Sequence, residues 1–178
     1  MTELIERSAK ALAAAIRGRE VSAYEVVLAA IARIEAVNPQ LNAVVQTRFG
    51  AALAEAREAD EQLRQGEIVG PLHGVPMTIK DSFDTADLIS TGGTKGRATY
   101  VPAQDATVVA RLRAAGAILL GKTNTPELTL QVITDNYVYG RTNNPYAVAR
   151  TPGGSSGGAA AIIAAGGVPF DIGTDTGG

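Results

Sequence analysis

Along the first third of the chain, apolar residues recur at the spacing of amphipathic helices. Ile5, Ala9, Leu12 and Ile16 share one face of a first helix, with Thr2 placed to cap it and Gly18 to end it. Ser22-Ala23-Tyr24-Glu25 has the spacing of a capping box, in which each side chain satisfies the other residue's orphan N–H. Val27, Ile31 and Ile34 carry that second helix to Asn38-Pro39, where it is expected to stop. Residues 42–47 read as a short strand. A third helix is predicted over 51–65, with Leu53, Ala56 and Leu63 on one side and Gly66 as its stop. Its many charges mark a solvated face.

The texture changes at Gly70-Pro71-Leu72-His73-Gly74-Val75-Pro76, which is turn chemistry. Met77 to Phe83 reads as an apolar strand running into Lys80. Gly92-Gly93-Thr94-Lys95-Gly96 is a glycine loop. Asp105 is expected to cap a helix bearing Val108, Val109 and Leu112, closed by Gly116. Ala117 to Leu120 is a buried-type strand, and Thr125-Pro126-Glu127 opens a helix with proline in its first turn. A polar, turn-rich passage then leads to Pro152-Gly153-Gly154-Ser155-Ser156-Gly157-Gly158. Serine is expected to cap a short helix over 159–165, followed by a last strand over 168–173. From about residue 75, strands alternate with helices. The fold class predicted is α/β, with helices packed around a mixed, largely parallel sheet after an N-terminal helical segment.

Composition narrows the function classes. The 178 residues, 46% apolar and 19% charged, suffice for one domain with a real core. A net charge of −2 gives no field that favours nucleic acid or an anionic membrane. The absence of cysteine excludes disulfides, thiolate nucleophiles and cysteine zinc sites. Met1 to Arg7 carries acids and lacks the apolar segment of a secretory signal, and the apolar runs are too short to span a bilayer. The expected location is the cytoplasm.

The residues present exclude most kinds of catalytic chemistry. Gly116 to Thr123 matches the phosphate-loop pattern formally, but its intervening residues are apolar and read as a strand. No GxGxxG occurs. His73, the single histidine, lies in a Gly/Pro turn and reads as structural. No metal-ligand cluster stands out, so neither a metal nor a cofactor is expected. What remains is serine chemistry with a lysine as base, which requires that lysine to be neutral. Lys80, at the end of an apolar strand, is the candidate. Two other readings stay open: a solvated lysine at a strand end, or an ion pair with Asp81. The glycine-flanked Ser155 and Ser156 supply hydroxyls where the backbone can approach a ligand closely.

These residues resemble the amidase signature family. The likeness is carried by Gly70 to Pro76 with Lys80-Asp81, by Thr91-Gly92-Gly93, and by Gly121-Lys122-Thr123-Asn124. It continues in Asn144-Pro145 leading to Pro152 through Gly158, and in Gly173-Thr174-Asp175-Thr176-Gly177-Gly178. Their order and spacing together are highly specific. The resemblance implies a Ser-cisSer-Lys triad with Lys80 as base, Ser155 as the bridging serine after a cis Gly154–Ser155 peptide, and Ser156 as a supporting hydrogen-bonding residue. It implies an oxyanion hole from the backbone N–H groups of Thr176, Gly177, Gly178 and the residue after them. Thr129, by its distance from Gly121-Lys122-Thr123-Asn124, matches a position lining the acyl pocket. The nucleophile is expected to be a serine following Gly178. Residues 1–178 accordingly read as the N-terminal portion of a single amidase signature domain.

The function this implies is hydrolysis of a carboxamide C–N bond through an acyl-enzyme. Two alternatives stand beside it: a glutaminase-type subunit of a tRNA-dependent amidotransferase, and a non-catalytic member of the fold. The partner expected is a small-molecule amide substrate, with no nucleic acid bound directly and no membrane. A homo-oligomer is compatible with the sequence.

Overall fold

A computed structural model describes Leu4 and residues 6–175. The first described helix, α1 (Ala9–Arg17), begins later than Thr2 would set it: Ser8 is the cap, its hydroxyl accepting the Ala11 N–H at 3.2 Å. Thr2 and Ile5 lie outside the described residues. Helix α2 (Ala23–Leu41) opens on the expected capping box, with Ser22 Oγ accepting the Glu25 N–H and Glu25 Oε2 accepting the Ser22 N–H. Contrary to expectation, α2 runs through Pro39 and closes on Asn42, whose backbone is left-handed at φ 49°. Asn38 makes the stop instead: its Oδ1 accepts the N–H groups of Ala43 and Val44, tying the last turn to the strand that follows.

Strand β1 (Val44–Thr47) is followed by α3 (Phe49–Arg64) and then Gly66 at φ 86°. Strand β2 (Pro76–Lys80) leads through loops to α4 (Thr107–Ala114) and β3 (Ile118–Thr123). Asp105 does not cap α4. Its carboxylate accepts the Ala86 N–H and pairs with Arg113, so a tertiary contact takes the oxygen that a cap would need. The helix expected at Thr125 is a single 3-10 turn, Glu127–Thr129, because Leu128 and Thr129 take left-handed φ values. Helix α5 spans Gly157–Ala164 and β4 only Asp171–Ile172, both shorter or earlier than the sequence pattern drew them.

The four strands lie in the order β1-β3-β2-β4, with β1 antiparallel to β3 and the other pairs parallel. The central strands β2 and β3 are buried at every position, as strands covered on both faces must be. One apolar cluster joins α1, α2 and α3 to Val75, Ile118, Leu120 and Ile162; the second gathers Met77, Ile79, Leu119 and Val109. A register shift between Met77 and Thr78 changes the pairing, so that Ile79 stands beside Lys122 and Lys80 beside Thr123. Paired residues of adjacent strands point to the same side. The two lysines therefore leave the sheet through opposite faces. Among the described residues no helix is long and apolar enough to cross a membrane.

Candidate active site

Lys80 ends β2 and is fully buried. Its Nζ stands 2.7 Å from Ser155 Oγ, 3.0 Å from Ser156 Oγ and 2.6 Å from Thr174 Oγ1. A hydroxyl both donates and accepts. This cage therefore suits either state of the amine: an ammonium donates three bonds, and a neutral amine donates two and accepts one. Burial pulls the Lys80 amine down to about 8, against the opposing pull of the Asp171 and Asp175 carboxylates. At pH 7 roughly one amine in ten is then neutral, against about one in several thousand for an exposed lysine.

The sequence left Lys80 open to solvation or to a pair with Asp81, and the structure has neither. Asp81 faces Lys122 instead, 3.9 Å from its Nζ, and its Oδ2 accepts the N–H and O–H of Thr91. Lys122 is as buried as Lys80 and donates to the Phe83 carbonyl and to the Thr85 and Ser90 hydroxyls. It too is lowered to about 8, chiefly by burial. Lys122 thus ties the loop that leads to Thr91-Gly92-Gly93 onto β3. The segment Gly116 to Thr123 is a turn and a strand, with no loop that could cradle a phosphate.

Ser155 and Ser156 sit on the segment entering α5, and the Gly154–Ser155 peptide is cis. Serine does not cap α5: Ser156 makes no side-chain cap bond. Its hydroxyl is engaged with Lys80 and with the backbone N–H and carbonyl of Thr174. The segment is held from the sheet side. Thr125 Oγ1 donates to the Ser155 carbonyl, and Thr134 Oγ1 donates to Gly153 O and accepts the Gly157 N–H. Gly158 is required by close approach: a Cβ there would stand 2.3 Å from Asn124 N. Asn124 in turn donates to Gly140 O and Thr142 Oγ1 and accepts from Asn136.

The structure brings Lys80, Ser155 and Ser156 together and adds Thr174, whose motif was legible in the sequence but whose place in the site was not. In the sequence Thr125 reads only as the start of a helix, and Thr134 and Asn136 belong to no motif; isolated polar residues carry no local signal of what they hold. Thr129 lies in the turn after β3, bonded through its N–H to the Pro126 carbonyl, and its side chain takes no part in the Lys80 cluster. Thr176, Gly177 and Gly178 lie outside the described residues. His73 is buried, with Nε2 2.9 Å from the Ala59 carbonyl and Nδ1 accepting the Val69 N–H. Among the described residues no group of three His, Cys, Asp or Glu side chains is arranged to hold a metal.

The pattern of the family described as Amidase matches residues 25–178. The chain is 48% identical over 178 residues to a glutamyl-tRNA(Gln) amidotransferase subunit of Acidothermus cellulolyticus, covering 100% of this chain and 35% of that protein. It is also 48% identical over 182 residues to fatty-acid amide hydrolase 2-B of Danio rerio, covering 98% and 35% respectively. A solved fatty acid amide hydrolase superposes with a TM-score of 0.94 at 29% identity, over 97% of this chain and 31% of that one. The chain spans about a third of the length of the curated relatives it matches.

Proposed function

The chain belongs to the Amidase family, that of the amidase signature, and from that premise we propose that the complete protein hydrolyses a carboxamide C–N bond. Residues 1–178 are then the N-terminal portion of one catalytic domain, and a serine after Gly178 is its nucleophile. The observation that carries this reading is the 2.7 Å contact between a buried Lys80 amine and Ser155 Oγ.

In this reading neutral Lys80 takes the Ser155 hydroxyl proton while Ser155 takes the proton of the nucleophilic serine. That serine adds to the amide carbonyl carbon. The family resemblance assigns the oxyanion to the backbone N–H groups of Thr176, Gly177, Gly178 and the residue beyond them, each such donor being worth a few kcal/mol in a water-poor site. The tetrahedral adduct collapses by breaking the C–N bond, and the proton held by Lys80 returns through Ser155 to the leaving amine. Water, deprotonated along the same path, then releases the acid. Ser156 holds the strand-end segment at Thr174 in line with the amine, and Thr129 lines the acyl side of the site. The substrate is a small-molecule amide, and the reaction needs no cofactor.

A second reading is favoured by the whole-chain likeness to the amidotransferase protein: the amide is glutamine, and the ammonia passes to a partner subunit. Assay of the complete protein against a panel of carboxamides, and against glutamine with and without amidotransferase partner subunits, separates the two. Release of ammonia from glutamine only in the presence of partners establishes the second, and turnover of simple amides alone establishes the first.

A further inference from the structure

We infer that Asp171 is a positioning residue for Lys80, its carboxylate held on the same sheet face to stabilise the ammonium that Lys80 becomes on accepting a proton. This deepens the proposed reading of Lys80 as base and rests on it.

The geometry begins with register. Asp171 of β4 pairs with Thr78 of β2, two residues before Lys80, and Lys80 pairs with Thr123 of β3. Residues two apart on a strand share a face. Thr78, Lys80, Thr123 and Asp171 therefore form one polar row across three strands. Within it, Asp171 Oδ2 accepts from Thr78 Oγ1 at 2.6 Å and from Thr123 Oγ1 at 2.9 Å. The other oxygen, Oδ1, is buried and has no hydrogen-bond partner among the described residues. A buried carboxylate oxygen left in this way is costly unless a nearby charge compensates it.

Lys80 supplies that charge. Burial raises the Asp171 carboxyl against the opposing pull of Thr78, Thr123, Lys80 and Lys122, which leaves it at about 6, so most of it is ionised at neutral pH. The hydroxyl cage around Lys80 offers dipoles but no countercharge. Of the charges that face the amine, Asp171 acts most strongly, and Asp175, beyond β4, acts in the same direction. Lys122 acts on Asp171 from the opposite sheet face, and Asp81 is engaged with Thr91 and Lys122. Without Asp171, burial alone would make Lys80 a weaker base.

The test is an NMR titration of the full chain carrying 13Cε-labelled lysine, with the Lys80 signal assigned through Lys80→Met. In Asp171→Asn the Lys80 midpoint is expected to fall below about 8 by about one pH unit, the size of shift that a close opposite charge confers. An unmoved midpoint overturns the inference. Should Asp171→Asn not fold, Thr123→Val carries the test. The Lys80 signal of the unsubstituted chain should show a second inflection near pH 6 as Asp171 titrates, and losing one hydroxyl donor should move that inflection to higher pH. A Lys80 signal blind to Asp171 overturns the inference. The pH profile of kcat/KM for the complete protein is read in parallel. If the midpoint falls in Asp171→Asn and the profile does not follow, the electrostatic link stands and the reading of Lys80 as base fails.

Discussion

The Lys80 amine and the Ser155 hydroxyl meet at 2.7 Å although 75 positions separate them in the chain. The amine arrives on the end of a central strand, and the hydroxyl on the segment that enters α5. In the proposed mechanism neither side chain has a proton relay without the other.

Replacing Lys80 by Ala should therefore abolish amide turnover by the complete protein while the fold persists. A loss of at least about 10³-fold in kcat is expected, as for removal of a base from other activated-serine sites. Circular dichroism and a urea melt check the fold. Unchanged hydrolysis would remove Lys80 from the mechanism.

The two serines should differ in kind. In the proposed mechanism Ser155→Ala breaks the relay, and it is expected to lower kcat by about as much as loss of Lys80, since residues acting as one unit are not additive. Ser156→Ala removes one cage bond and the tie to Thr174. Its expected loss is smaller, about 10- to 100-fold. Equal losses in the two variants would contradict this division.

Lys122 has a structural task that leaves the amide chemistry aside. Lys122→Met strands the buried Asp81 carboxyl, whose Oδ1 has no hydrogen-bond partner among the described residues. The expected cost is about 3 kcal/mol of unfolding free energy. Adding Asp81→Asn should recover part of it. A single-variant loss under about 1 kcal/mol in urea melts would show that the pair carries no weight.

The same residue gives stability a pH dependence. The folded-state pKa of Lys122 is lowered from 10.5 to about 8, so between these values the unfolded chain binds a proton that the folded chain does not. Its penalty is fully present below about 8 and is relieved as pH rises toward 10.5. Stability of the unsubstituted chain relative to Lys122→Met should therefore grow by up to about 1.4 kcal/mol per pH unit in that window. A difference that stays flat would argue against a depressed amine.

Glycine substitutions separate close approach from simple turn chemistry. The three atoms nearest a Cβ on Gly158 would all be backbone, Asn124 N, Asn124 O and Ala43 O, all within 2.8 Å. Gly158→Ala should cost about 2 kcal/mol or more and shift α5 away from β3. Gly50, inside α3, has nothing within 4 Å of its Cβ position. Gly50→Ala should stabilise by about 0.5–1 kcal/mol. Thermal melts of the two variants decide.

What the sequence made legible was local or patterned. Ser22 and Glu25 announce their capping box because both partners lie within one turn. The change from helices alone to alternating strands and helices announces the α/β sheet. Asp105 misled because its oxygen serves Ala86 and Arg113 rather than the nearest helix end. Ser156 misled likewise, since Lys80 and Thr174 claim its hydroxyl. The face on which Lys122 stands depends on the register shift opposite Met77 and Thr78, where β3 carries one extra residue, Leu120, and no periodicity reveals it. Asp171 drew no attention as the opening residue of a short strand; its meaning comes from Thr78 and Thr123 on two neighbouring strands.

The separation of amine and hydroxyl along the chain also sets an order of events at the ribosome. A nascent polypeptide emerges with Lys80 ahead of Ser155 by 75 residues, so the lysine spends that interval as an ordinary hydrated cation. It gives up its water, and its pKa falls to about 8, as α5 docks and brings the serine segment with it. In the proposed mechanism the amine cannot act as a base before that moment.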